Sequence, residues 1–242
     1  MLNQQPIEHR IKSDGDVLSL HSLFRTIQGE GPFSGRRAVF IRLAGCNLQC
    51  PKCDTDYTEG RGTVTVTNLV DRVCRNFAQD WLIVITGGEP FRQNIEPLVR
   101  ALTTRGYMVQ IETNGVLPLP SIGFPEVCSL EPSDINGEDG KCFIIVSPKT
   151  NKVHPSIEGV ACAYKYVVIR NEVESDGLPT RALDNPTSGA IARPPDGVPV
   201  YVQPCDEKDS NLNDRNLEQC IESALLHGYI LQIQLHKHIG VE

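Results

Sequence analysis

Short, nearly continuous apolar runs recur along the chain: AVFIRLA (38–44), WLIVIT (81–86), MVQIET (108–113), CFIIVS (142–147), YKYVVIR (164–170), VPVYVQ (198–203) and ILQIQL (230–235). Runs of this length, β-branched and without strict alternation, predict strands buried on both faces. Between some of them apolar positions fall at helical spacing. In TNLVDRVCRNFAQD, Leu69, Val70, Val73, Phe77 and Ala78 share one face, with Thr67 as N-cap. In NIEPLVRALTTRG, Ile95, Leu98, Val99 and Leu102 do the same, and Gly106 ends the helix. Leu217, Ile221, Ala224 and Leu225 predict a third buried face before Gly228.

Strand, helix and strand in series predict right-handed βαβ units and a parallel sheet. The strands hand over to GCNLQC, GGEP, NG, PK, NE, PCD and HKH. Polar or glycine-rich residues thus gather at one end of the sheet, where barrel-like α/β folds build their chemistry. The stretch 114–141 has no amphipathic helix, so the barrel is expected to be incomplete. The stretch 171–197, rich in Pro, Gly, Asp and Asn, reads as an inserted loop or flap in a single domain spanning 1–242.

The chain has 242 residues, 40% of them hydrophobic, enough for one sizeable core. A net charge of -7 argues against non-specific binding of nucleic acid or an anionic membrane. An anionic substrate then needs specific basic side chains. No secretory h-region or apolar run of spanning length is visible, so a cytoplasmic protein is expected. Nine cysteines in such a chain read as thiols plus a metal site and not as a disulfide framework.

Cys46, Cys50 and Cys53 stand in the polar loop GCNLQCPKCDT. Zinc would want a fourth tight ligand, which is missing locally but could come from a distant residue. Cys74, Cys128, Cys142, Cys162, Cys205 and Cys220 read as small buried hydrophobes; the triplet, interrupted by Asn47, Gln49, Pro51 and Lys52, fits that poorly. A four-iron cluster held by three thiolates would keep one iron open, the coordination feature of a catalytic centre. The residues alone leave zinc and cluster both open.

C-x3-C-x2-C in a loop after the first strand resembles the radical S-adenosylmethionine enzymes, in which that loop follows the first barrel strand. TGGEP (86–90) is similar to their glycine-rich segment at the methionine end of the cofactor, and ETNG (112–115) ends the next strand. FRTIQGEGPFSGRRAVFIRLAGCNLQCPKCDT (24–55), SPK (147–149) and QLHKHIG near the C-terminus narrow the resemblance to the 7-carboxy-7-deazaguanine synthase family. The resemblance implies a shortened, modified TIM-type (β/α) barrel of the radical SAM kind. It implies ring contraction of 6-carboxy-5,6,7,8-tetrahydropterin to 7-carboxy-7-deazaguanine with loss of ammonia, in queuosine and other deazapurine pathways. It also implies a 4Fe-4S cluster, S-adenosyl-L-methionine, Mg2+, a homodimer and an electron donor such as flavodoxin. A radical activating enzyme that makes a glycyl radical on a partner protein, and a zinc-stabilised binding module without catalysis, are the alternatives.

Carried onto this sequence, the resemblance assigns the cluster to Cys46, Cys50 and Cys53 and magnesium to Thr55. It assigns substrate to Ile27, Gln28, Gly29, Arg42 and Thr86, and S-adenosylmethionine to Gly88, Glu112, Ser147, Pro148, Lys149, Gln203, Pro204, Cys205 and Asp206. The chemistry agrees at several positions. Arg42 offers a planar fork to a carboxylate, a hydroxyl at Thr55 is a hard oxygen ligand, and the Gln28 amide suits the edge of a heterocycle. His236 and His238, read as alternate residues of the last strand, would share a face beside the substrate, with neither assigned to metal.

Overall fold

The computed structural model describes residues 3–120, 124–125, 127, 140–185 and 190–241. One sheet is built from β1 (Val17–Ile27), β2 (Arg37–Leu43), β3 (Gly62–Thr65), β4 (Leu82–Gly87), β5 (Val109–Thr113), β6 (Cys142–Val146), β7 (Ala163–Val168), β8 (Val200–Pro204) and β9 (Ile230–Leu231). Its order is β3-β1-β2-β4-β5-β6-β7-β8-β9. From β2 onward every pairing is parallel, whereas β1 runs antiparallel to both β2 and β3. The sheet is open, ending at β3 and β9, so the expected incomplete barrel is present.

Both faces of the parallel strands are buried, which is why their sequences are nearly all apolar. Val39, Ile41, Ile83, Ile85, Val109 and Ile111 pack outward with Leu69, Val70, Val73, Leu98, Val99 and Leu102 of α1 (Val66–Asn76) and α2 (Glu96–Thr103). Ala38, Leu82, Val84, Met108, Phe143, Ile145 and Ala163, each an odd number of positions from the outward residues of its own strand, pack on the inner face. Side chains alternate along a strand. Following the inner parity toward the C-terminal ends leads to Phe40 and Arg42, Thr86, Gln110 and Glu112, Ser147, Lys165, and Gln203 with Cys205. One face thus passes from an apolar plug to a polar mouth within the length of a strand.

Several expectations are corrected. The run 38–44 is the second strand, because β1 precedes it; β1 alternates and is half exposed, with Ser19, His21, Ser22 and Arg25 among its residues, so it lacks a continuous apolar run. Helix α1 is capped by Thr65, whose side chain accepts from the Asn68 amide, and not by Thr67. Gly106 does close the α2 region, with φ +86° and its N–H on the Thr103 carbonyl. α3 (Pro155–Glu158) is a single unforeseen turn.

The C-terminal helix α4 (Ser210–His227) ends at left-handed Gly228 as expected, but it buries Asn216, Gln219, Cys220 and Ser223. Ile221 and Leu225 of the expected inner face are exposed, Leu225 to 81%. The inward face is polar because it serves loop backbone: Asn216 accepts from the Arg170 amide at 2.8 Å and donates to the Cys205 carbonyl at 3.0 Å. The last apolar run forms only the two-residue β9. Leu235–Ile239 is a short helix, α5, so His236 and His238 are not alternate residues of a strand.

The described parts of 171–197 carry no helix or strand. They are nevertheless packed: Leu178, Ala182 and Ile191 join the core, and the Asp176–Arg193 ion pair at 2.7 Å ties the two halves of the segment. Most of 114–141, with Cys128, lies outside the described residues. No helix among the described residues is long and apolar enough to cross a membrane.

Candidate active site

The C-terminal ends of the parallel strands open into a cavity of about 490 Å³. Its wall includes Ile27, Gln28, Arg42, Cys46, Cys50, Cys53, Thr55, Thr86, Gly88, Glu112, Ser147, Lys149, Gln203, Cys205 and Asp206. With Lys165 of β7, which also lines the wall, residues from six strand ends and the 27–28 turn meet at one place, as the alternation of inner-face positions requires. Gly29, Pro148 and Pro204 do not line it. A more open groove of about 580 Å³ over β1 and β3 contains none of the expected site residues.

The cysteine loop leaves β2 through Gly45, whose φ is +80°. A side chain there would strike the Arg92 guanidinium, 2.5 Å from the position of a Cβ. Cys46 and Cys50 are buried and Cys53 half-buried, all with free thiols. Burial pushes the Cys46 thiol up to about 12, with Glu89 and the neighbouring thiols adding to the rise, and burial raises Cys50 and Cys53 as well. Thiolates in this setting need a cation to form, and metal binding supplies one. No three Cys, His, Asp or Glu side chains among the described residues close round a single ion position. The thiols instead face a shared cavity, which suits a cluster, larger than one ion, better than a tetrahedral zinc.

Gly88 lines the cavity, but its missing side chain serves the protein first. A Cβ there would lie 2.1 Å from the Gly45 carbonyl oxygen and 2.9 Å from the Cys46 Cβ, so the glycine lets the GGEP turn press against the cysteine loop. Glu89 beside it is fully buried; it accepts from Thr113 Oγ1 at 2.7 Å, the Asn114 amide at 2.8 Å and the Phe91 amide at 3.0 Å. Asn114 donates in turn to Asn47 at 2.8 Å, joining the β5 end to the loop.

Arg42 and Thr86 are register partners on β2 and β4. The guanidinium lies over the Phe24 ring, 5.0 Å from its centroid, and Phe24 stacks on Phe40. An aromatic wall with one cation suits a flat anion. Thr55 stands at the rim, its hydroxyl 3.4 Å from Asp54. Gln28 lines the cavity and also holds its wall together. Its amide donates to Glu112 at 3.0 Å and accepts from the Glu30 amide at 3.1 Å, so it organises the cavity floor. Gly29 brings in α5: a Cβ would lie 2.1 Å from the His236 ring, and the Leu235 amide bonds the Gly29 carbonyl. That contact sets His236 on the cavity wall.

Glu112 belongs to a buried charge group that sequence reading missed. Lys165 on β7 pairs with Glu30 and, at 3.6 Å, with Glu112. Gln110 donates to Glu112 at 2.8 Å and Gln234 to Glu30 at 2.6 Å. Desolvation opposes Glu30's charge, but Lys165 and the hydrogen bonds from Lys165 and Gln234 bring its carboxyl down to about 2. The signal was present as a lysine inside the apolar run YKYVVIR. Lys149, half-buried, donates to Ser147 Oγ at 2.5 Å and its carbonyl at 3.2 Å; desolvation lowers its pKa, while the thiols of Cys50 and Cys53 favour its charge. Gln203 Oε1 is buried with no hydrogen-bond partner among the described residues, an acceptor that a bound ligand's donor would satisfy. Cys205 is buried, its thiol pushed up to about 12. Asp206 is held near 2, first by the Lys208 amide and then by Lys237 at 3.1 Å.

A family profile described as "4Fe-4S single cluster domain" matches residues 27–115, from the Gln28 turn through the cysteine loop to the β5 end. The 7-carboxy-7-deazaguanine synthase of Rhodospirillum rubrum is 39% identical over the full length of both chains. That of Rickettsia prowazekii is 33% identical across 100% of this chain and 96% of its own. The chain belongs to the 7-carboxy-7-deazaguanine synthase family. The crystal structure of QueE from Escherichia coli, at 24% identity, has the same fold, with a TM-score of 0.63 over 91% of this chain and 95% of that one. Members of the family are radical S-adenosylmethionine enzymes, and the cavity at the strand ends is the region of this chain suited to hold the cluster and cofactor.

Proposed function

We propose that this enzyme contracts the ring of 6-carboxy-5,6,7,8-tetrahydropterin to 7-carboxy-7-deazaguanine, releasing ammonia, for queuosine or related deazapurine synthesis. The observation that carries the reading is the meeting of three free cysteines, the Arg42–Thr86 pair and the orphaned Gln203 acceptor around one cavity. Cys46, Cys50 and Cys53 are the residues that would hold the 4Fe-4S cluster. Cluster and S-adenosylmethionine together supply a carbon radical able to remove a hydrogen atom from the substrate. The chain's own groups do the rest. Arg42 binds the substrate carboxylate, Phe24 and Phe40 flank the ring, and Thr86 stands beside the arginine. Gln203 and the Ser147–Lys149 pair are the side chains offered to the cofactor, and the charge group under Glu112 orients the floor. Anaerobic turnover with carboxytetrahydropterin, S-adenosylmethionine, a reductant and magnesium tests this; a protein that forms 5′-deoxyadenosine but no deazaguanine sinks it.

Arg42→Lys keeps the charge and loses the fork. Loss of a charge-assisted hydrogen bond to a buried anion is worth roughly 1.5–3 kcal/mol, so substrate affinity should fall about ten- to a hundredfold. Titration with S-adenosylmethionine should be unchanged. Equal substrate affinity in Arg42→Ala and the parent would leave the arginine a purely structural role.

Thr55 is read as the magnesium ligand. Thr55→Ser keeps the oxygen and should retain most activity, whereas Thr55→Val should lose magnesium stimulation while still taking up iron. A Thr55→Val protein that responds to magnesium as the parent does moves the metal elsewhere, Asp54 first.

A homodimer is the assembly that best covers the outer face of α4 and the edge strand β9. Leu225 and Leu226 are 81% and 71% exposed, and Ile230 and Leu231 beside them are exposed as well. Cys46, Cys50, Cys53, Cys74, Cys205 and Cys220 carry free thiols, as a cytoplasmic enzyme's would. An external one-electron donor such as flavodoxin completes the reading.

A further inference from the structure

The segment NQQPIEH (3–9) has no apolar period and belongs to no helix or named strand, though Ile7 makes an isolated parallel bridge to Cys46. Ile7 is 57% exposed, and no residue of the segment enters the hydrophobic core. Apolar burial therefore does not explain its path. Polar contacts do, and most of them end on the cysteine loop.

The Asn3 amide donates to the Pro51 carbonyl at 2.8 Å, and the Asn3 side chain donates to the Cys50 carbonyl at 3.1 Å. The Glu8 amide donates to the Cys46 carbonyl at 2.7 Å. Gln5 reaches the loop three times: its Nε2 donates to the Thr55 carbonyl at 2.9 Å, its Oε1 accepts from the Tyr57 amide at 2.7 Å, and its carbonyl accepts from Gln49 Nε2 at 2.7 Å; its Oε1 also accepts from Thr58 Oγ1 at 3.5 Å, and its amide donates to Asn3 Oδ1 at 2.9 Å. Behind them Glu8 pairs with Arg92 at 3.4 Å, and Arg92 donates to the carbonyls of His9 and Ala44 at 3.1 and 3.0 Å.

Two cluster cysteines thus have their carbonyls tied to the N-terminal segment while their thiols face the cavity. A peptide unit is planar, so fixing a carbonyl restricts the direction in which the same residue's side chain leaves the backbone. The Gln5 side chain grips the stretch just after Cys53 at both ends.

We propose that residues 3–9 brace the cysteine loop in its ligand-bearing shape, with Gln5 as the principal positioning residue. The proposal rests on the reading that this loop carries the cluster. The brace acts before iron arrives, by removing loop conformations in which the thiols diverge.

The test uses the full chain carrying Gln5→Ala, Gln5→Glu or, as a control on an exposed neighbour, Gln4→Ala. Amide exchange over 46–57 is measured in the metal-free protein, and iron release to a chelator is followed in the loaded protein by loss of visible absorbance. Gln5→Ala removes the side-chain hydrogen bonds to the Thr55 carbonyl and from the Tyr57 amide, with the long one from Thr58 Oγ1, so exchange at Tyr57 and iron release should both quicken roughly five- to thirtyfold. Gln5→Glu keeps the acceptor for the Tyr57 amide and loses the donor to Thr55, and should fall between. Gln4→Ala should match the parent, and all melting temperatures should agree. Parent rates in Gln5→Ala would overturn the proposal, and so would faster exchange spread over the whole chain with a lowered melting temperature. A parent that takes up no iron defeats the cluster reading, and the metal-free exchange still decides the brace.

Discussion

Cys46→Ala, Cys50→Ala and Cys53→Ala proteins, reconstituted with iron and sulfide under anaerobic conditions, are each expected to lose the stable four-iron cluster and all 5′-deoxyadenosine formation. The loss should be complete because the loop offers three thiols and no spare. Removing one leaves two protein ligands for the cluster, on a loop that the neighbouring segments hold in place and that cannot slide to recruit another. Cys205 is the informative control. It lies on the same cavity wall, yet the charged groups that most affect its thiol are Glu207, Lys52, Asp184 and Lys237, not the other cysteines. Cys205→Ala should therefore keep a full complement of iron and the broad visible band. Iron and sulfide content, absorbance and product formation decide the matter. Full cluster retention in all three loop variants, or its loss only in Cys205→Ala, would remove the triplet from the centre.

Lys165→Met is expected to lower stability at neutral pH by about 3–5 kcal/mol, the usual cost of stripping the partner from a buried charge. Methionine has similar length and suits the apolar neighbours of β7, so the loss comes from the two carboxylates left behind, Glu30 and Glu112. The pH dependence identifies the cause. In the parent Glu30 titrates near 2 instead of 4.5, so its contribution is fully present above 4.5 and disappears as pH falls through 2. The Lys165 pKa is raised by Glu112 and Glu30 against the opposing effect of burial, so its contribution is fully present below 10.5 and is lost as pH rises through the higher folded value. The parent therefore keeps the whole contribution from about pH 5 to 10. In Lys165→Met, Glu30 keeps its desolvation but loses the cation that offset it, so its carboxyl resists ionisation and gains by protonation. The gap between the two proteins should then narrow between pH 7 and pH 4. Urea unfolding at both values measures it. A gap below about 1 kcal/mol at pH 7, or one of equal size at both pH values, would show that the charge group does not support the fold.

Charge at this depth also bears on the site. Lys165 and Glu112 form part of the cavity wall, and Gln28, expected to meet substrate, is already bonded to Glu112. Gly88 likewise makes room for the cysteine loop before it makes room for any ligand. Residues assigned by resemblance to binding thus carry a prior structural duty, and their variants need a folding control beside an activity assay.

The parallel strands, the first two helices and the cysteine loop were legible in the sequence because each depends on local order. A strand buried on both faces must be apolar along its length, a helix on a sheet must repeat its apolar residues, and a loop bearing three thiols must space them closely. The polar residues after each strand marked the mouth of the barrel for the same reason. Tertiary structure alone decided the remainder. β1 alternates too weakly to stand out, and only its pairing with β2 and β3 makes it a strand. α4 turns Asn216 and Gln219 inward because loop amides and carbonyls await them there, a burial that hydropathy reads as exposure. Lys165, Glu30 and Glu112 are distant in sequence, and their charges become tolerable inside the fold only in one another's company. Residues 3–9 are unremarkable until the carbonyls of Cys46, Cys50 and Thr55 need donors. Apolar burial writes a periodic signal into the chain, whereas a polar partner far away in sequence writes none.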